Sequence, residues 1–95
     1  MNNDLRGTGR TTRQLEQAPY GSIFVWCTSD VRYALDTAHR LGRTDLTIKP
    51  LGWLDAEHVL ASGKRQVVVD HAAVVDRALR VIITTHNARY QPLPA

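Results

Sequence analysis

The chain has 95 residues, 43% of them hydrophobic and 22% charged, with a formal net charge of +3. That balance excludes a disordered chain and fits a single domain with one modest core. No apolar stretch approaches the ~20 residues needed to span a bilayer, and with Cys27 as the one cysteine no internal disulfide forms.

The first predicted element is a short helix over "TTRQLEQA", residues 11–18. Thr11 and Gln14 have the spacing of a capping box, and Pro19 and Gly21 end the helix. "SIFVWC", residues 22–27, is a continuous apolar run with β-branched and aromatic members, the pattern of a strand covered on both faces. "SDVRYALDTAHRLG" follows as the second helix. Ser29 is its expected N-cap, Gly42 its stop, and Val31, Ala34, Leu35, Ala38 and Leu41 its apolar face.

"DLTIKPL" reads as a second strand closed by Pro50 and Gly52. "LDAEHVLASG" reads as a helix capped by Asp55 and ended by Gly63. "QVVVD" is a strongly β-branched third strand. "HAAVVDRALR" reads as a further helix and "VIITT", residues 81–85, as a fourth strand. The tail "QPLPA" reads as loose, and "RGTGR" as a flexible basic arm.

This alternation predicts an α/β fold: one small three-layer domain over residues 1–95, with a mostly parallel sheet of about four strands and short helices on both faces.

The chemistry-bearing stretch is "DLRGTGRTTR". Glycines let the backbone turn its N–H groups toward an anion, and a helix opening just after them adds the positive end of its dipole. Gly7, Thr8 and Gly9 form the turn; Thr11 and Thr12 open the helix with hydroxyls. Arg10 and Arg13 supply planar cations suited to phosphate. Later, "VVVD" ends an apolar strand in Asp70, followed by His71. A plain alternative for Asp70 is the cap of the next helix.

In this order the two stretches resemble the P-loop NTPases, and in style the small P-loop proteins encoded by bacteriophages, over about Leu5 to Ala73. Gly9-Arg10-Thr11 falls where the family has Gly-Lys-Thr, and "VVVD" falls where it has the Walker B strand. The resemblance implies an altered Walker A loop in which backbone around Gly7 to Gly9 wraps phosphates and Arg10 replaces the lysine. It implies ATP or GTP with magnesium, the metal touched by Thr11 and held through water by Asp70. It implies His71 at the position of a water-activating glutamate, with Arg13 within reach of phosphate.

The departures from the family pattern are specific. Asp4 stands where the first glycine belongs, and "MNNDL" lacks the apolar residues of a strand before the loop. "VIITT" is expected to fill that strand's place in the sheet.

His39, His58, His71 and His86 have no metal-site spacing. His39 is expected on the surface near a helix end, and His71 and His86 at the same sheet edge. Trp26 reads as core, and Trp53 as core or a stacking platform for a base. Arg6, Arg10, Arg13, Arg40, Arg43, Lys64 and Arg65 are expected to form a basic surface. That surface is either simply solvated or a contact for nucleic acid or an acidic protein. The composition and the polar N-terminus lead to the expectation of a cytoplasmic protein with neither leader nor membrane association.

Overall fold

The computed structural model describes residues 9–90. The predicted arm, with Asp4, Arg6, Gly7 and Thr8, and the tail "QPLPA" lie outside the described residues. The elements are α1 (Arg10–Gln17), β1 (Ile23–Val25), α2 (Arg32–Arg40), β2 (Thr47–Lys49), a 3-10 turn (Leu51–Trp53), α3 (Ala56–Ala61), β3 (Val67–Val69) and α4 (Arg77–Arg89). The three strands form one parallel sheet in the order β2-β1-β3. Phe24 is in register with Ile48 on one side and Val68 on the other.

β1 is central, and all three of its residues are buried. A strand flanked by parallel neighbours must be apolar on both faces, and Ile-Phe-Val satisfies this with branched and aromatic side chains. Alternation then divides the interior. Ile23 and Val25 pack with Leu54, Val59, Val67 and Ile83. Phe24 packs on the opposite side with Leu15, Ala18, Ala38 and Leu46. Residues of α1 and α2 thus meet one face, and residues of α3 and α4 meet the other. Phe24 is fully buried, and truncating such a side chain typically costs about 3–5 kcal/mol.

Helix starts follow local chemistry. Asp55 caps α3 by accepting the His58 amide at 2.8 Å, as predicted. Asp76 caps α4 by accepting the Leu79 amide at 2.8 Å. α2 begins later than its sequence suggests: Val31 occupies the cap position. Asp30, rather than Ser29, accepts the Arg32 amide at 3.1 Å and pairs with its guanidinium. Gly42 and Gly63 follow α2 and α3 with φ of 74° and 67°, the left-handed conformation that ends helices.

The predicted fourth strand is absent among the described residues. Val81 to Thr85 lie inside α4. A β-branched run suits a strand locally, but Leu79, Ile82, Ile83 and His86 recur at helical spacing and pack inward. Burial on that period outweighs intrinsic penalties of only a few tenths of a kcal/mol per residue.

The strand place beside β3 is taken instead by side chains. Asn87 of α4 accepts from the Val67 amide at 2.9 Å and donates to its carbonyl at 2.8 Å. Gln14 of α1 donates to the Val69 carbonyl at 3.1 Å. These bonds occupy outward-facing groups of an edge strand, which otherwise invite pairing with another chain.

Candidate functional site

Parallel strands deliver their C-terminal ends to one side of the sheet, the side where open α/β folds take ligands. Asp70 follows β3 there, with its amide bonded to the Val25 carbonyl at 2.9 Å. Its side chain is buried. The front of α1 arrives at the same place, because the Thr11 hydroxyl donates to Asp70 Oδ1 at 2.9 Å across 59 residues of sequence. The second carboxylate oxygen accepts the Ala72 amide at 3.0 Å.

Asp70 therefore does not cap the next helix. That helix starts at Arg77, with Asp76 as its cap. Nor do Thr11 and Gln14 form a capping box. The hydroxyl of Thr11 is engaged by Asp70, and the amide of Gln14 bridges to β3 and His71.

Gly9 precedes α1 with φ 73° and ψ 4°. This left-handed conformation suits glycine, and the Gly9 carbonyl accepts from the Arg13 amide at 3.1 Å. Arg10 and Arg13 are exposed, while Thr11 is buried and Thr12 half-buried. The described part of the predicted loop thus has a glycine turn and a helix start carrying two exposed arginines, and it sets a buried threonine beside a buried carboxylate.

His71 lies next to Asp70, with Nδ1 at 3.6 Å from Oδ1 and a side chain 12% exposed. Its backbone N–H donates to Gln14 Oε1 at 2.8 Å, and its Nδ1 stands 3.1 Å from the same oxygen. The other ring nitrogen, Nε2, is buried without a hydrogen-bond partner among the described residues.

Cys27 follows β1 at the same sheet edge. Burial pushes its thiol above the ordinary value, and the charge of Asp70 adds to the rise. The thiol is therefore held neutral. In the sequence Cys27 shows no role beyond the absence of a disulfide, and its place beside Asp70 is seen only in the fold. The available signal was that Cys27 and Asp70 each end a buried strand.

Other predicted residues go elsewhere. His86 lies at the opposite end of the sheet, where Nε2 donates to the Arg65 carbonyl at 2.9 Å, so the shared edge with His71 is not formed. His39 is exposed in the last turn of α2. Trp26 packs at the periphery of the Phe24 cluster and against Tyr33, ring centroids 5.6 Å apart. Trp53 packs on the Val25 side and against His58 at 5.2 Å.

Two members of the expected basic surface are internal ties. Arg43 donates to the carbonyls of Leu15, Glu16 and Ala18 at 2.7, 3.1 and 2.9 Å, and pairs with Asp45. Arg65 donates to the Gly21 and Ser22 carbonyls and to the Thr47 hydroxyl.

Among the described residues no group of three or more His, Cys, Asp and Glu side chains is placed to hold a metal. One hydroxyl and one carboxylate do not make a protein cage. They do fit magnesium, which keeps several waters and takes other ligands from phosphate. Donation by Thr11 uses its proton and leaves its oxygen lone pairs for a cation. No helix among the described residues is long and apolar enough to cross a membrane. Comparison of the chain with protein-family models, with curated proteins and with solved structures found no match.

Proposed function

We propose that the chain binds a phosphate-bearing nucleotide, ATP or GTP with magnesium, at the front of α1, through an altered Walker A loop. The observation that carries this reading is the 2.9 Å bond from Thr11 to Asp70. It joins the helix that follows the glycine turn to the carboxylate that ends β3. The turn at Gly9 and the front of α1 meet the phosphates, and Arg10 and Arg13 supply positive charge. Thr11 and Asp70 offer oxygen to the cation, which neutralises phosphate charge when bound.

Binding rather than turnover is the centre of this reading. Phosphoryl transfer depends on positioned charge, and a guanidinium is a wide rigid fork where an ammonium is a compact point. A thermal-shift titration tests it. ATP or GTP with magnesium raises the melting temperature, by an amount set by ligand excess over Kd. The rise weakens without magnesium and in Arg10→Ala and Arg13→Ala, exposed positions whose truncation spares the core. No rise at millimolar nucleotide overturns the reading.

A second reading, a non-catalytic interaction protein, has its own observation. The outer face of α4 and the adjoining α3 expose Leu60 and Val81 at 66% and 58%. These residues line a groove of about 200 Å³ with Ile82, Thr85, His86 and Arg89. Arg77 and Arg80 line a neighbouring groove with Val81. Apolar surface rimmed by arginine suits an acidic protein partner. Binding that is lost in Arg77→Glu and Arg80→Glu, with no response to nucleotide, distinguishes this role.

A further inference from the structure

The amide of Gln14 has an orientation that its surroundings dictate. Its Nε2 lies 3.1 Å from the Val69 carbonyl, which only accepts. Its Oε1 lies 2.8 Å from the His71 backbone N–H, which only donates. Turning the amide over would set donor against donor and acceptor against acceptor, so oxygen and nitrogen are assigned by two backbone groups.

The consequence passes to the imidazole. Nδ1 of His71 is 3.1 Å from that same Oε1, and an amide oxygen has no proton to give. The ring proton of neutral His71 must therefore sit on Nδ1. Asp70 Oδ1, 3.6 Å from Nδ1, favours the same assignment. Nε2 is left as a bare lone pair, and it is this atom that is buried and lacks a partner among the described residues. Buried polar atoms normally find partners, so the bare Nε2 is the ring atom suited to accept from the O–H of a bound group.

We propose that Gln14 is a positioning residue: it fixes His71 as the Nδ1–H tautomer and presents Nε2 as the acceptor for the O–H of a water or hydroxyl bound beside the phosphate. The ligand half of this assignment rests on the nucleotide reading; the tautomer half does not. Gln14 stands five residues after Gly9 and bonds both β3 and His71, so it couples the front of α1 to the imidazole directly. It follows Thr11 by three residues, and both side chains reach the end of β3 from one helix face.

The experiment is two-bond ¹H–¹⁵N correlation spectroscopy of the ¹⁵N-labelled full chain at pH 8, where an ordinary imidazole is neutral. The expected spectrum of His71 has a proton-bearing Nδ1 and a bare Nε2. Gln14→Leu removes the acceptor and moves the ring toward the Nε2–H form. Gln14→Glu keeps an oxygen at the same reach and retains Nδ1–H, at the expense of the bond to Val69.

A wild-type ring protonated on Nε2 overturns the proposal without any variant, and so does an unchanged tautomer in folded Gln14→Leu. Titration with magnesium and a non-hydrolysable ATP analogue separates the two halves. The expected result is a shift of the His71 Nε2 resonance together with the Gly9 and Thr11 amides. Shifts at Gly9 and Thr11 with Nε2 unmoved overturn the acceptor role. No shift at any of the three overturns the nucleotide reading, and with it the ligand assigned to Nε2.

Discussion

Thr11 and Asp70 are hydrogen bonded at 2.9 Å, both buried, and belong to different elements 59 residues apart. A buried carboxylate depends on each donor it has, since losing one leaves charge without compensation. Thr11→Val removes the donor while nearly preserving shape. The expected cost is about 1–3 kcal/mol in urea unfolding. Coupling with Asp70→Ala in a double-mutant cycle is expected at about 0.5–3 kcal/mol, the range for residues in direct contact. Additive effects of the two substitutions would mean that the bond holds nothing together.

Arg43 and Asp45 give the molecule a defined acid sensitivity. The Arg43 guanidinium and then the Gly21 amide hold the Asp45 carboxyl far below its ordinary value of 3.8. A carboxyl depressed in the folded state binds its proton more weakly there than in the unfolded chain. Its stabilisation is fully present above the unfolded value and is lost as pH falls from about 4 toward the folded value. Asp45→Asn should flatten unfolding free energy against pH between about 4 and 2 relative to wild type. Chemical denaturation at a series of pH values measures the difference.

Much of this architecture is legible in the residues, and the exceptions have physical causes. The apolar run around Phe24, the Asp55 cap and the glycine stops at Gly42 and Gly63 are local signals, decided by burial, one hydrogen bond or one dihedral angle. "VIITT" misleads because five residues are too few to distinguish a strand from one wall of a helix. Asp76, followed by Leu79, Ile83 and His86 at helical intervals, carried the correct signal outside that window. For the candidate site, "GRT" and "VVVD" are visible as motifs, but nothing local says that Thr11 and Asp70 meet. Arg43 and Arg65 look like surface cations because a sequence does not reveal carbonyls left exposed at a helix end or a strand start. Gln14 suggests a cap by spacing alone, and tertiary contact draws it to His71 instead.

Asn87 replaces a strand with one side chain. Its amide makes both bonds to Val67 that a neighbouring backbone would make. Asn87→Leu leaves an N–H and a carbonyl unpaired at the edge of β3. The expected loss is about 2 kcal/mol, and the uncovered edge raises the tendency to associate. Urea unfolding checks the first effect, and concentration-dependent light scattering the second. Asn87→Asp retains the acceptor alone and is expected to fall between the two.

Gly9 offers a test of backbone rather than contact. Among the described residues a methyl group added there meets only the Arg13 Nη2 at 4.0 Å, an ordinary contact, but φ is 73°. Gly9→Ala is therefore expected to destabilise by about 1 kcal/mol from the left-handed conformation alone. Asn tolerates that region better, so Gly9→Asn should cost less. Equal losses for Ala and Asn would show that φ is not the cause.

Cys27 reports on the charge of Asp70. Burial first, and that charge second, raise the thiol above its ordinary value of 9.0. The folded state therefore binds this proton more tightly than the unfolded chain. The linked stability is full below the unfolded thiol value and declines as pH climbs through it. Since the thiolate is the nucleophile, iodoacetamide should modify the folded chain slowly at pH 8 and modify urea-unfolded chain at the rate of an ordinary thiol. Asp70→Asn removes the second cause and leaves the first, so it should accelerate modification of folded protein without reaching the unfolded rate. A rate in Asp70→Asn equal to wild type, measured by mass spectrometry on chain whose fold is checked by circular dichroism, would separate the thiol from the carboxylate.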